Sequence, residues 1–327
     1  MSTKAKICPL CKGRKVVKRG INKQEKQIFW CKECQHRFST SIQKKNILTK
    51  RIWIDYVFHK QVIREMASTY ELNIKTVYSH ILLYKPKEKK HTPRAIHLLV
   101  DALYFGTRED YTTWCVTVFR DHDTKENLWW RYGDTETERT YREGREYLEK
   151  IGYTILSVTG DGFGGLRTAF YAIQYQMCLV HMERIIIRGT TRNPILPAGK
   201  VLLALIKTIF DTDEELFKRR FNKYLELYGD FINEKAISEI TGRPWYIHDD
   251  LRGASLSLQR FLPYLFTFKK DKAIPPTTNS LEGHFSHLRD IVNIHRGASK
   301  ELKQKIIHTI LLASTIAPKD DEIKKII

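Results

Sequence analysis

Four of the chain's six cysteines fall within its first 34 residues, as Cys8-Pro-Leu-Cys11 and Cys31-Lys-Glu-Cys34. A C-x2-C pair on a tight turn aims two thiolates at one point, and two such pairs complete a tetrahedral ligand set for one structural Zn2+. Nineteen residues separate the pairs, and residues 15–19 and 27–30 between them read as strands. Together they predict a zinc ribbon over residues 1–45. A segment this short has little core of its own, so the metal would supply much of its folding free energy. Two disulfides are the alternative use of the same cysteines, and His36 is an alternative ligand to Cys34. The start, Met1-Ser-Thr-Lys-Ala-Lys6, has no apolar signal core, which predicts an intracellular chain with reduced thiols.

Charge is divided as sharply as cysteine. Residues 1–94 hold 23 Lys and Arg against 6 Asp and Glu, whereas the other 233 hold 33 against 31. A basic field confined to one third of a chain attracts polyanions, above all nucleic acid. Within it, apolar residues recur at helical spacing from residue 50 to residue 84, and residues 61–81 read as two short helices joined by a turn near residues 70–73. This is helix-turn-helix form, assigned to residues 46–84, with Asn73 as N-cap of the second helix. Lys75, Thr76, Ser79 and His80 are the expected face toward a DNA major groove. Residues 85–94, rich in charge and holding Pro86 and Pro93, read as a linker.

Beyond the linker the pattern changes to strands. Residues 95–105, 113–120 and 127–132 are strand candidates, residues 138–151 a charged helix, and residues 153–160 a buried strand. A short helix near 166–173 and a strand at 176–179 follow. Three strands, helix, strand, helix, strand is the order of an α/β, ribonuclease-H-like mixed sheet. In such a sheet the first and fourth strands are neighbours, so Asp101 and Asp161 would converge although sixty residues apart. Carboxylates sharing a cleft repel unless cations join them, and Mg2+ or Mn2+ suits oxygen ligands. Helical sequence over about 182–270 is too long for a simple connection and predicts an inserted α-helical subdomain within a domain spanning 95–327. Glu282 follows the capping residues Thr277, Thr278 and Asn279 in the first turn of a further helix.

These blocks resemble mutator-type insertion-sequence transposases, a group with an Asp-Asp-Glu triad on a ribonuclease-H-like fold. The matching pieces are Val100-Asp101-Ala102, Thr159-Gly-Asp161-Gly-Phe-Gly-Gly-Leu166, Cys178-Leu-Val-His181, Pro276-Thr-Thr-Asn-Ser-Leu-Glu282 and His295-Arg296-Gly297. The resemblance covers about residues 95–300. It implies that Asp101, Asp161 and Glu282 hold two Mg2+ ions and catalyse DNA strand cleavage and strand transfer. Cys178 and His181 would support that site, since two ligands do not close a zinc site. Arg289 and Arg296 would meet DNA phosphates. The expected partners are double-stranded DNA (element ends and target) and a second copy of the chain on DNA. No membrane is expected, because no apolar run approaches the ~20 residues of a span. A cytoplasmic, nucleoid-associated protein of a prokaryotic host follows from the same resemblance. The competing class is a non-catalytic DNA-binding regulator descended from a transposase.

Overall fold

The computed structural model describes residues 7–22, 27–107, 112–315, 318–319 and 322–323, with side chains left aside at 40–44. The polar start of the chain, residues 1–6, lies outside them. Two compact units form, one from residues 1–88 and 288–327 and the other from residues 89–287.

The first unit opens with three short antiparallel strands, β1 (Val16–Ile21), β2 (Gln27–Cys31) and β3 (Arg37–Ser39). Phe29 and Phe38 face each other across β2 and β3 and stack at 5.8 Å, with Cys8 and Cys31 completing a very small core. Helices α1 (Thr40–Val57), α2 (Ile63–Thr69) and α3 (Ile74–Leu83) follow. Their helical periodicity buries Ile52, Trp53, Tyr56, Met66, Val77 and Ile81. Asn73 is the N-cap of α3, its Oδ1 accepting from the Lys75 backbone N–H at 2.8 Å.

Residues 288–327 depart from the expected single domain over 95–327. The last described helix, α12 (Lys300–Ala313), packs its buried Leu302, Ile306 and Ile310 face with the N-terminal helices of this unit. Trp53 Nε1 donates to Thr309 Oγ1 at 3.3 Å, and Lys305 Nζ donates to the carbonyls of Ile81 and Leu82 at 2.7 and 3.2 Å. That ammonium satisfies the free carbonyls at the C-terminus of α3 and lies 4.6 Å from the Trp53 ring. An apolar helix face needs some partner, but the periodicity does not say which one.

The second unit is built on β4 (Ala95–Phe105), β5 (Trp114–Asp121), β6 (Asn127–Gly133), β7 (Thr154–Gly160) and β8 (Gln174–Met177). They form a mixed sheet in the order β6-β5-β4-β7-β8, antiparallel from β6 to β4 and parallel from β4 to β8. All eight residues of β5 are buried, as are Ile96 to Val100 on β4. Helix α4 (Glu138–Lys150) crosses from β6 to β7 and buries Tyr141, Gly144 and Leu148. At Gly144 a Cβ would meet Phe119 and Trp129 ring carbons at 2.7 Å, so the closeness of helix and sheet requires glycine there. Helix α5 (Gly164–Ala169) then leads to β8, which begins two residues earlier than the sequence pattern predicts.

Helices α6 (Leu179–Thr190), α7 (Pro197–Lys207), α8 (Glu214–Ile232), α9 (Asp249–Phe261) and α10 (Thr267–Lys270) occupy the predicted helical stretch. Between α8 and α9 runs an unpredicted hairpin of β9 (Lys235–Ile237) and β10 (Pro244–Tyr246). Leu202, Phe217, Phe221, Leu258 and Phe261 join the sheet's apolar residues in one continuous core. Helix α11 (Asn279–Ile294) begins in this unit, and the division between units falls within it, at Leu288. No described helix is long and apolar enough to cross a membrane.

Candidate functional site

In the first unit the four cysteine sulfurs come together, all within 4.8 Å of one another. Cys8 Sγ lies 3.6 Å from Cys34 Sγ, and Cys11 Sγ lies 3.5 Å from Cys31 Sγ. A tetrahedron with metal–sulfur bonds of ~2.3 Å has edges of ~3.8 Å, so the spacing suits one structural Zn2+ with little adjustment. All four are free thiols rather than disulfides. The Gly13 N–H points at Cys11 Sγ at 3.4 Å, the kind of outer hydrogen bond that orients a metal thiolate.

Lys75, Thr76 and Ser79 are exposed on α3, as their expected role requires. His80 is not. It is 6% exposed, with Nδ1 2.7 Å from the hydroxyl of Thr49 on α1. Val77, His80 and Ile81 stand at i, i+3 and i+4, the spacing of the buried face, so the signal for its burial was present in the sequence. Arg289 and Arg296 are exposed. His295, between them, donates from Nε2 to the Tyr56 carbonyl at 2.8 Å and packs its ring on Tyr56, a structural role.

In the second unit the two aspartates follow from the sheet's register. Leu99 of β4 pairs with Thr159 of β7 in parallel, and two residues further along each chain are Asp101 and Asp161. The pairing ends there: Asp101 lies within β4, Asp161 lies just past the end of β7, and the charge of Asp161 acts on the Asp101 carboxyl. Asp161 Oδ1 accepts from the Phe163 N–H at 3.0 Å, closing the turn into the glycines, and Asp101 Oδ1 accepts from the Ala102 N–H at 2.8 Å. Burial pushes the Asp101 carboxyl up to about 7. His181 and the Ala102 N–H oppose the shift, and the charges of Asp161 and Glu136 add to it.

The end of β7 also holds the segment that carries the third acid. Thr159 Oγ1 donates to the Pro275 carbonyl at 2.8 Å, and the Leu179 N–H donates to the Pro276 carbonyl at 3.0 Å. Cys178 caps the start of α6, and its N–H donates to the Gly160 carbonyl at 2.8 Å. The buried Thr278 gives its N–H to Cys178 Sγ at 3.3 Å, while its own carbonyl accepts from the Glu282 N–H at 3.0 Å. This chain of bonds fixes the first turn of α11 against α6.

Glu282 therefore stands beside His181, with Oε1 3.8 Å from His181 Nε2. Both its oxygens are taken by Arg184, at 2.9 and 2.6 Å. Among the described residues, the donor atoms of Cys178, His181 and Glu282 form the second group lying within 4.8 Å of one another. Asp101 and Asp161 belong to neither such group. Burial alone would lower His181 and raise Cys178, but their mutual contact prevails. His181 is raised to about 9, with Asp101 and Asp161 adding to the shift, and Cys178 is lowered.

Two residues of this neighbourhood are absent from the sequence reading. Glu136, just before α4, accepts from Tyr141 Oη and, at 3.1 Å, from Tyr104 Oη. Its carboxyl is raised by burial and by the charge of Asp161, against the bonds from the tyrosines. No motif marks it. Arg184 was more accessible to reasoning, since it follows His181 by three residues on the same helix face. A cavity of about 560 Å3 lined by Arg188, Asn193, Trp245, His248 and Asp250 lies in the helical insertion and is not lined by Asp101, Asp161 or Glu282.

No family model and no curated protein matches the chain. Among solved structures it is similar to a chain of the simian T-cell lymphotropic virus intasome in complex with the PP2A regulatory subunit B56 gamma, seen by cryo-EM. Identity is 10%, coverage is 62% of this chain and 71% of that one, and the TM-score is 0.21. At that score the two chains do not share a defined common fold.

Proposed function

We propose that the chain is a DNA transposase on a ribonuclease-H-like fold, with Asp101, Asp161 and Glu282 as its catalytic carboxylates. The observation that supports the reading is the parallel pairing of β4 and β7 up to Leu99 and Thr159, two residues before each acid, together with the effect of the Asp161 charge on Asp101. The tether from β7 and α6 to the Glu282 turn supports a third acid in the same region. Asp101 and Asp161 offer the hard oxygen donors that divalent cations prefer, and burial raises the Asp101 carboxyl, which a bound cation would oppose. When bound, two Mg2+ ions would activate water or a 3′-hydroxyl and stabilise the leaving oxygen.

The chain's own groups do the rest. Asp101 on β4 and Asp161 in the turn after β7 each accept a backbone N–H, which fixes one carboxylate oxygen and leaves the other to a ligand. His181, protonated at neutral pH, adds positive charge beside them. Arg184 holds Glu282 with a planar fork that can equally grip a phosphate. The Cys8 cluster and the exposed residues of α3, set in the basic third, supply the DNA grip. A homodimer is the smallest assembly that pairs two element ends.

The test is incubation with Mg2+ and labelled DNA from the flanks of the coding sequence. Cleavage and joining by the parent, both abolished in Asp101→Asn, Asp161→Asn and Glu282→Gln with DNA binding retained, is the expected result. Binding without any cutting would favour the non-catalytic regulator, and full cleavage by any of the three variants would remove the triad.

A further inference from the structure

The transposase reading leaves Cys178 without a task, and C-x2-H spacing alone offers only two ligands. The fold adds a third. The bonds from Thr278 to Cys178 and Glu282 bring the Glu282 carboxylate to the pair, so that one sulfur, one imidazole nitrogen and one carboxylate oxygen lie within 4.8 Å of one another. Bonds of ~2.0–2.3 Å from a tetrahedral ion require ligand edges of ~3.4–3.8 Å. The 3.8 Å between His181 Nε2 and Glu282 Oε1 already meets this, and the other edges, within 4.8 Å, need to shorten by about 1.4 Å at most.

Other features fit the same chemistry. The Cys178 sulfur accepts the Thr278 N–H at 3.3 Å and lies 3.4 Å from its hydroxyl, outer bonds that hold a thiolate in place. The side chains of His181 and Glu282 are each about one-fifth exposed, so an ion can enter from solvent. Arg184, half exposed, is the present occupant of the carboxylate and is free to swing out when a cation replaces it.

We propose that Cys178, His181 and Glu282 bind one borderline-soft divalent cation, Zn2+ or Co2+, with a solvent oxygen in the remaining position. A thiolate and an imidazole select such ions over Mg2+. Binding rests on the donor geometry alone. Its consequence rests on the transposase reading: an ion held here takes Glu282 away from the two aspartates, so Zn2+ competes with Mg2+-dependent chemistry.

The experiment is Co2+ titration of the full chain with its Cys8 cluster already filled by Zn2+. The parent should develop tetrahedral cobalt absorption with one sulfur-to-cobalt charge-transfer band. Cys178→Ser should lose that band, and His181→Ala should weaken binding at least tenfold. Glu282→Gln alters a partly exposed side chain and keeps the test decisive if the buried variants do not fold. It should keep the band and bind at least tenfold more weakly. No cobalt spectrum in the zinc-filled parent, or parental affinity in Glu282→Gln, overturns the site. Cobalt binding in a protein whose DNA cleavage survives Asp101→Asn would remove the triad and leave the ion site standing.

Discussion

Asp101→Asn should make the protein more stable, and only above a definite pH. The carboxyl of Asp101 titrates near 7 in the fold, against 3.8 for an ordinary aspartate, because burial and the charges of Asp161 and Glu136 disfavour its ionised form. A carboxyl raised on folding contributes its full stability below the unfolded value and loses it as pH rises toward the folded one. At ~1.4 kcal/mol per unit, the span from 3.8 to about 7 corresponds to a penalty of about 4 kcal/mol, complete above pH 7. Asparagine keeps the size and cannot ionise. In Mg2+-free buffer its advantage over the parent should therefore grow by about 3 kcal/mol between pH 5 and pH 8 and then level off. Urea unfolding of both proteins across that range measures it. Millimolar Mg2+ should close the gap by stabilising the parent alone. A difference independent of pH would refute the electrostatic argument, and a gap that Mg2+ leaves open would refute the cation assignment.

Other perturbations test the frame around the site. Gly144→Ala puts a methyl group at 2.7 Å from the rings of Phe119 and Trp129, and should cost about 1–3 kcal/mol in thermal unfolding. An unchanged melting temperature would mean that α4 does not approach the sheet so closely. Arg94→Ala leaves Asp121, 1% exposed, without the guanidinium 2.7 Å away, and should cost about 3–5 kcal/mol by denaturant titration. Arg94→Lys should recover part of that loss. Removing zinc with a strong chelator, or Cys31→Ser, should unfold the ribbon and weaken DNA binding, read by fluorescence anisotropy. Undiminished binding would assign the DNA grip to the helices alone.

Much of the site was legible because it lies on periodic elements. Asp101 interrupts an apolar strand and Asp161 follows another, and the order of elements was enough to expect those two strands to be neighbours, as β4 and β7 are. The cysteine spacing likewise specified its cluster. Partnerships across long distances were not legible. Nothing near Trp53 says that Thr309 is its neighbour, and nothing near Glu136 says that two tyrosines hold it beside Asp161. Arg184 and His80 fall between these cases: helical spacing relates each to residues already singled out, one to His181 and the other to Val77 and Ile81.

The union of α12 with the N-terminal helices bears on the order in which the chain is made. Trp53 and Thr309 are 256 residues apart, and all of residues 89–287 is synthesised between them. The sheet and its helical insertion can close on themselves while the chain is still on the ribosome. The helices ahead of them must wait, with the Trp53 side of their core uncovered, until Lys305 and its neighbours emerge. A nascent or prematurely ended chain thus carries a complete set of acids and an unfinished basic unit, so the part proposed to grip DNA is the last to mature.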